Sequence, residues 1–163
     1  MPLIEPQEWK ETHKIEEFVI VIDTSMSCSG DLVRKFLEET YHILAETESF
    51  FRKVHIRILQ CDDAVRADQL ITTGEELKQY MDHLQLYGDG GTDFRPAFTY
   101  VQQLIDQGEF KNLKGLLYFT DGKGTFPRKR PPYDAAFILF REDYKEVSVP
   151  PWAIRLMLDE EDL

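Results

Sequence analysis

Several things are missing from this chain of 163 residues, and each absence removes a class of function. Two cysteines, Cys28 and Cys61, cannot build a disulfide framework and lack metal-type spacing. Both fall near strand ends, where they would be neighbours as two free thiols rather than a bridge in a reducing compartment. No apolar run approaches the roughly 18 residues that span a bilayer, and the N-terminal stretch through Trp9 has no signal-peptide core, so the cytoplasm is the expected location. Positive charge is in deficit: 19 Lys and Arg against 30 Asp and Glu leave a formal charge of −11. A surface so acidic is a poor match for phosphate backbones, which excludes nucleic acid as the expected partner. The His-Glu-x-x-His signature of zinc peptidases is also absent.

What is present centres on Phe18-Val-Ile-Val-Ile-Asp-Thr-Ser-Met-Ser27. An uninterrupted aromatic and β-branched run reads as a strand buried on both faces of a parallel sheet. It ends at Asp23, followed by alternating hydroxyls. Open α/β sheets bind ligands beyond the carboxyl ends of their strands, so Asp23, Ser25 and Ser27 stand where chemistry is usually placed.

The length suits one domain. Residues 1–15 read as a polar lead-in or the remnant of a longer parent, 16–158 as the domain, and 159–163 as a solvated acidic end. A helix begins at Ser29-Gly30-Asp31 and carries Leu32, Phe36, Tyr41 and Leu44 at helical spacing. Val54–Gln60 reads as a strand, and Ala64–Ile71 as its hairpin partner and an antiparallel edge. Thr73-Gly-Glu-Glu76 is a capping box for a helix with the stripe Leu77, Tyr80, Met81 and Leu84. Asp93 is the expected N-cap of a helix that admits Pro96 in its first turn and stops at Gly108. A buried strand, Gly115–Asp121, again ends in a carboxylate. Pro127, Pro131 and Pro132 forbid a regular helix before the next strand, Ala135–Phe140, and the stretch before the last strand, Trp152–Leu158, is weakly helical. One flank of the sheet is therefore expected to be thinly covered and to pack on a partner or on a missing domain.

Three loops then deliver oxygens to one sheet edge: Asp23, Ser25 and Ser27, Thr92 in the glycine-rich loop, and Asp121. Hard divalent cations take such donors in near-octahedral geometry and commonly accept a further ligand from another molecule. Because hydroxyls add no charge, the ion stays electrophilic, which favours adhesion through metal over catalysis. Asp23-Thr-Ser-Met-Ser27, Thr92 and Asp121-Gly122 together resemble the metal-ion-dependent adhesion site of von Willebrand factor type A (VWA) domains. Gly-Gly-Thr-Asp93, Phe-Thr-Asp-Gly122 and Val-Pro-Pro-Trp152 resemble, within that group, bacterial VWA-like domains of proteins whose other half is metallopeptidase-like. The resemblance implies a doubly wound, Rossmann-like α/β fold with a mostly parallel six-stranded sheet in the order 3-2-1-4-5-6 and an antiparallel edge strand. It also implies Mg²⁺, or Mn²⁺ or Ca²⁺ in its place, coordinated by Ser25, Ser27 and Thr92 and, directly or through water, by Asp23 and Asp121. Partners implied are a protein supplying an acidic residue to the metal, a MoxR-type AAA ATPase, or the absent N-terminal half.

Other readings of the same residues stay open. Asp-x-Ser-x-Ser by itself is also ordinary turn chemistry after a strand. Gly88-Asp-Gly-Gly91 lacks the Lys-Ser/Thr of a phosphate cradle and reads as a tight path that delivers Thr92. A metal-dependent hydrolase using Asp23 or Asp121 as base is the alternative to a binding module. A scaffold that keeps these residues without using the metal is a third. A serine nucleophile needs a base, and His13, His42, His55 and His83 all read as surface residues away from strand carboxyl ends. Lys123, Arg128, Lys129 and Arg130 form a basic loop beside the site, either simply solvated or able to grip an acidic partner.

Overall fold

Because every residue from Val19 to Ile22 is apolar, the first strand has no face to turn to water, and it takes the centre of the sheet. The computed structural model describes residues 17–25, 30–45, 53–88, 90–140 and 148–158. In it β1 (Glu17–Asp23) lies between two parallel neighbours, β2 (His55–Cys61) and β4 (Leu113–Thr120). Antiparallel β3 (Val65–Ile71) closes one edge, and β5 (Asp134–Phe140) and β6 (Ile154–Leu158) extend the other in parallel. The six strands run in the order β3-β2-β1-β4-β5-β6, the expected one. Among the described residues no helix is long and apolar enough to cross a membrane.

Strand alternation divides the core into two layers. Ile20, Ile22, Ile56 and Ile58 face α1 (Gly30–Ala45) and α2 (Gly74–Asp82), where Val33, Phe36, Leu37, Leu77 and Met81 cover them. Val19, Val21, Leu59 and Tyr118 face α3 (Arg95–Asp106), which contributes Ala97, Phe98, Val101 and Leu104. The stripe of α1 is rotated from the expected one: Val33, Phe36 and Leu37 are its fully buried residues, with Leu32 and Tyr41 at its margin. Phe36 stacks on Phe119 at 4.5 Å between ring centres, which fixes that rotation. The capping box of α2 forms as read, with Thr73 Oγ1 accepting the Glu76 N–H. Asp93, in contrast, is not the N-cap of α3. Phe94 stands there without a side-chain cap, and Asp93 accepts the Arg95 N–H in a local turn just before it.

No helix forms between β4 and β5, as the prolines require. The β4–β5 crossover partly replaces a helix, since Phe126 packs against the layer of α3, where Val149 and Trp152 join it; residues 141–147, the start of the stretch read as weakly helical, lie outside the described residues. Among the described residues thin cover of the sheet lies at the last strand, where Ile154, Leu156 and Met157 are exposed. The lead-in 1–15, the acidic end 159–163 and Cys28 lie outside the described residues.

One buried carboxylate ties the sheet together at the edge opposite the candidate site. Glu17 is buried at the start of β1 and accepts the N–H groups of Lys111 and Asn112, which lead into β4, at 3.1 and 2.5 Å. His55, expected at the surface, lies half-buried with Nδ1 at 3.4 Å from Glu17 and its ring against Phe110. Replacing Glu17 by Ala strands two amides at once. We expect the loss to be roughly 2–3 kcal/mol, read as a lower urea midpoint at unchanged slope, with Glu17→Gln recovering part of it.

Candidate metal centre

The crevice beyond the carboxyl ends of β1 and β4 is built on Asp23. Its side chain is fully buried; Oδ1 accepts the Ser25 N–H at 2.9 Å and Oδ2 accepts the Thr120 hydroxyl at 2.5 Å. The Ser25 hydroxyl also bonds to this carboxylate. Thr120, last residue of β4, accepts in turn the Gly122 N–H at 3.1 Å. Two adjacent strand ends are thus joined through one carboxylate and one hydroxyl. Asp121, also buried, accepts the Lys123 N–H at 2.9 Å, which turns the chain away from the sheet.

Thr92 reaches this edge by a different route. The Asp93 N–H donates to the Asp62 carbonyl at 3.1 Å and the Phe94 N–H to the Thr125 carbonyl at 3.0 Å. These bonds hold the residues after Thr92 between the β2–β3 turn and the loop that follows Asp121. A Cβ at Gly124 would come within 2.8 Å of the Thr92 methyl and 2.9 Å of the Phe94 ring, so glycine is what lets the two loops close. Asp23, Ser25 and Asp121 are brought together directly, and Thr92 packs on the loop Asp121 begins. Ser27 lies outside the described residues.

Asp62 organises the glycine-rich loop, and sequence reasoning missed it. Buried at the end of β2, it accepts the Ala64 N–H and Arg66 Nε on Oδ1 at 3.1 and 2.7 Å and the Gly90 N–H on Oδ2 at 3.0 Å. Gln60 does the same for the start of the loop, accepting the Tyr87 N–H at 2.7 Å. Gly88 has φ +117° and sits so near Thr24 Oγ1 that a Cβ there would be 2.6 Å away. The Gly90 N–H that would serve a phosphate is already spent on Asp62, so the glycines are a path rather than a cradle. Only the position of Asp62 and Gln60 at a strand's carboxyl end hinted at these roles.

The sequence model of the VWA-like domain (DUF2201) family matches residues 18–159. The chain belongs to that family. No curated protein matches it. Solved structures share the fold at low identity. BatB, a conserved hypothetical protein from Bacteroides thetaiotaomicron, aligns at 12% identity and TM-score 0.60 over 88% of this chain and 90% of its own. The SpRpn10 VWA domain aligns at 12% identity and TM-score 0.57 over 90% and 89%. A von Willebrand factor type A protein from Catenulispora acidiphila aligns at 15% identity and TM-score 0.52 over 79% of this chain and 34% of its own.

In this VWA-like domain the donors at the crevice are all oxygens. Among the described residues no group of three or more His, Cys, Asp or Glu side chains stands ready to enclose a metal ion. Two carboxylates with hydroxyls fit a hard cation that keeps waters or takes an outside ligand, and do not fit zinc. Burial raises the pKa of Asp23; the hydrogen bonds from Ser25 and Thr120 pull it back in part, and the charge of Asp121 pushes it up further. No cationic side chain pairs with Asp23 among the described residues. Cys61 beside it is inert, its thiol pushed up to about 11 by burial. None of the described histidines is placed as a base here: His42 is on α1, His83 bonds to the Gln79 carbonyl, and His55 sits at the far edge of the sheet.

A carboxyl whose pKa is raised by folding holds its proton more tightly in the folded state. Without divalent cations, wild type therefore loses the contribution of Asp23 as pH climbs from the ordinary value of 3.8 through the raised folded value. Asp23→Asn does not titrate. Its stability relative to wild type in EDTA should rise with pH across that window, by denaturant titrations at matched pH; a constant or falling difference contradicts the account.

Proposed function

We propose that this VWA-like domain is a divalent-cation-dependent protein-binding module rather than an enzyme. The observation that carries the reading is Asp23, a fully buried carboxylate beside Asp121 with no countercharge among the described residues. Buried charges are stable when paired or when they hold a metal. Asp23, Ser25, Ser27, Thr92 and Asp121 would hold Mg²⁺, Mn²⁺ or Ca²⁺. When bound, the ion supplies an electrophilic centre that an acidic side chain of a partner completes. Thr120 fixes the Asp23 carboxylate from behind, and the Lys123 N–H orients that of Asp121. No histidine among the described residues is placed as a base at the site, which argues against a serine nucleophile; the hydrolase alternative would have to use Asp23 or Asp121 itself.

The family resemblance adds candidates for the partner: a MoxR-type AAA ATPase, or a metallopeptidase-like half of the same parent protein, working in the cytoplasm. BatB and the SpRpn10 VWA domain share the fold alone and identify no partner.

Calorimetry with Mg²⁺ and Mn²⁺, with and without a short acidic peptide, tests the site. Wild type should bind Mn²⁺ more tightly with the peptide present, and Asp23→Asn should lose both events. Thr120→Val removes only the support of a ligand and should weaken cation binding about 10–100-fold while the fold persists. Turnover of phosphate-ester or peptide substrates in Mg²⁺, abolished by Asp23→Asn, would replace this reading with the hydrolase.

A further inference from the structure

The loop that leaves Asp121 carries a feature the cation site does not use. From Lys123 to Arg130 it holds four basic residues and no acid, in a chain whose formal charge is −11. Arg128, Lys129 and Arg130 are exposed and make no ion pair among the described residues. Among the described residues nothing consumes their charge. The same loop forms one wall of a groove of about 460 Å³, and the connection into β6 forms the other. Phe126, Pro127 and Arg128 stand on one side, and Val149, Pro151 and Trp152 on the other.

The groove is joined to the crevice by the chain itself. Thr125 pairs with Asp93 next to Thr92, and Phe126 follows it onto the rings of Phe94 and Phe137 at 4.7 and 4.9 Å. Trp152 is anchored edge-on to Phe98 at 5.7 Å. The floor is thus an extension of the aromatic core. Prolines on both walls lack N–H donors, so the groove cannot recruit an occupant as an added strand. Recognition has to come from side chains: one apolar anchor in the groove and carboxylates against the basic loop. The indole N–H of Trp152 is itself buried, so the groove offers a ring surface there and not a hydrogen-bond donor. Elsewhere the acidic surface repels such a segment, which directs it to this loop.

We propose that this groove and basic loop bind an acidic segment of a separate protein carrying one large apolar side chain, beside the carboxylate that the cation takes. The inference rests on the cation-dependent binding reading and names its partner class. Nucleic acid is not the fit, because the loop is a local basic island on an acidic chain.

The test is selection of dodecapeptides from a random display library on the full chain in Mg²⁺, followed by fluorescence polarisation of the enriched sequences. Expected winners combine two or more acids with an aromatic or branched residue. Arg128→Glu with Lys129→Glu should weaken them about tenfold or more and flatten the salt dependence. Ser148→Trp, which fills the groove from an exposed rim position, should weaken them without changing the salt dependence. Peptides with acids changed to Lys should regain binding to the charge-reversed protein, which separates lost recognition from lost folding. Winners without acids, winners indifferent to both sets of substitutions, no winners at all, or tighter binding of a single-stranded oligonucleotide would each overturn the proposal. If EDTA and Asp23→Asn abolish binding while charge reversal does not, the groove proposal fails and the cation site stands. The reverse pattern upholds the groove and overturns the cation reading.

Discussion

The hydrogen bond from Thr120 to Asp23 is the constraint on which the rest of the crevice depends. It spans two adjacent parallel strands at the point where both leave the sheet, so it sets where β1 and β4 stop and how their loops diverge. The Thr120 hydroxyl has one proton to give. Having donated it to Asp23, it must accept elsewhere, and the Gly122 N–H supplies that bond. The turn after Asp121 follows from this, and the basic loop follows from the turn. A fully buried carboxylate with no cationic neighbour among the described residues is expensive to bury, and hydroxyl and amide donors offset only part of that cost.

Glu17 offers an instructive contrast at the other end of the same strand. It too is a buried carboxylate, and it too gathers backbone amides from a neighbouring connection. Both of its oxygens accept a main-chain N–H, and His55 Nδ1 approaches to 3.4 Å, so its acceptors are answered within the fold. The same strand therefore carries one carboxylate that is structurally complete and one that is not. The incomplete one lies at the edge where doubly wound sheets place ligands, and that difference in partners, not burial by itself, separates an anchor from a site.

Much of the architecture could be read from local patterns. The apolar run of β1, the antiparallel hairpin of β2 and β3, the capping box at Thr73 and the proline-broken crossover from β4 to β5 each follow from a few adjacent residues, and each appears in the structure. Legibility ended where a residue's role depended on distant sequence. Thr120 reads as one polar residue closing a strand; its partner Asp23 is 97 positions away. Asp62 reads as a turn aspartate, yet its second oxygen holds Gly90, 28 positions on. His55 reads as a surface residue because the carboxylate and the ring that enclose it come from two other segments. Asp93 failed as a cap for a local reason: Arg95 competes for its carboxylate through both main chain and guanidinium, and lowers its pKa.

The incompleteness at Asp23 has a consequence for how binding and folding are linked. A site whose ligands are satisfied by the protein gains little from its ion, whereas a site that leaves a buried charge unanswered gains the most when a cation arrives. Under the proposed cation reading the domain would accept a less stable empty state in exchange for a tighter bound one, since whatever binds the folded form and not the unfolded one adds its free energy to folding. The stable frame that tolerates this is the pair of core layers on either side of β1, together with the Glu17 anchor at the far edge. The Glu17 anchor lies at the opposite end of β1, so the charged end of the strand can remain poised while the rest of it is held.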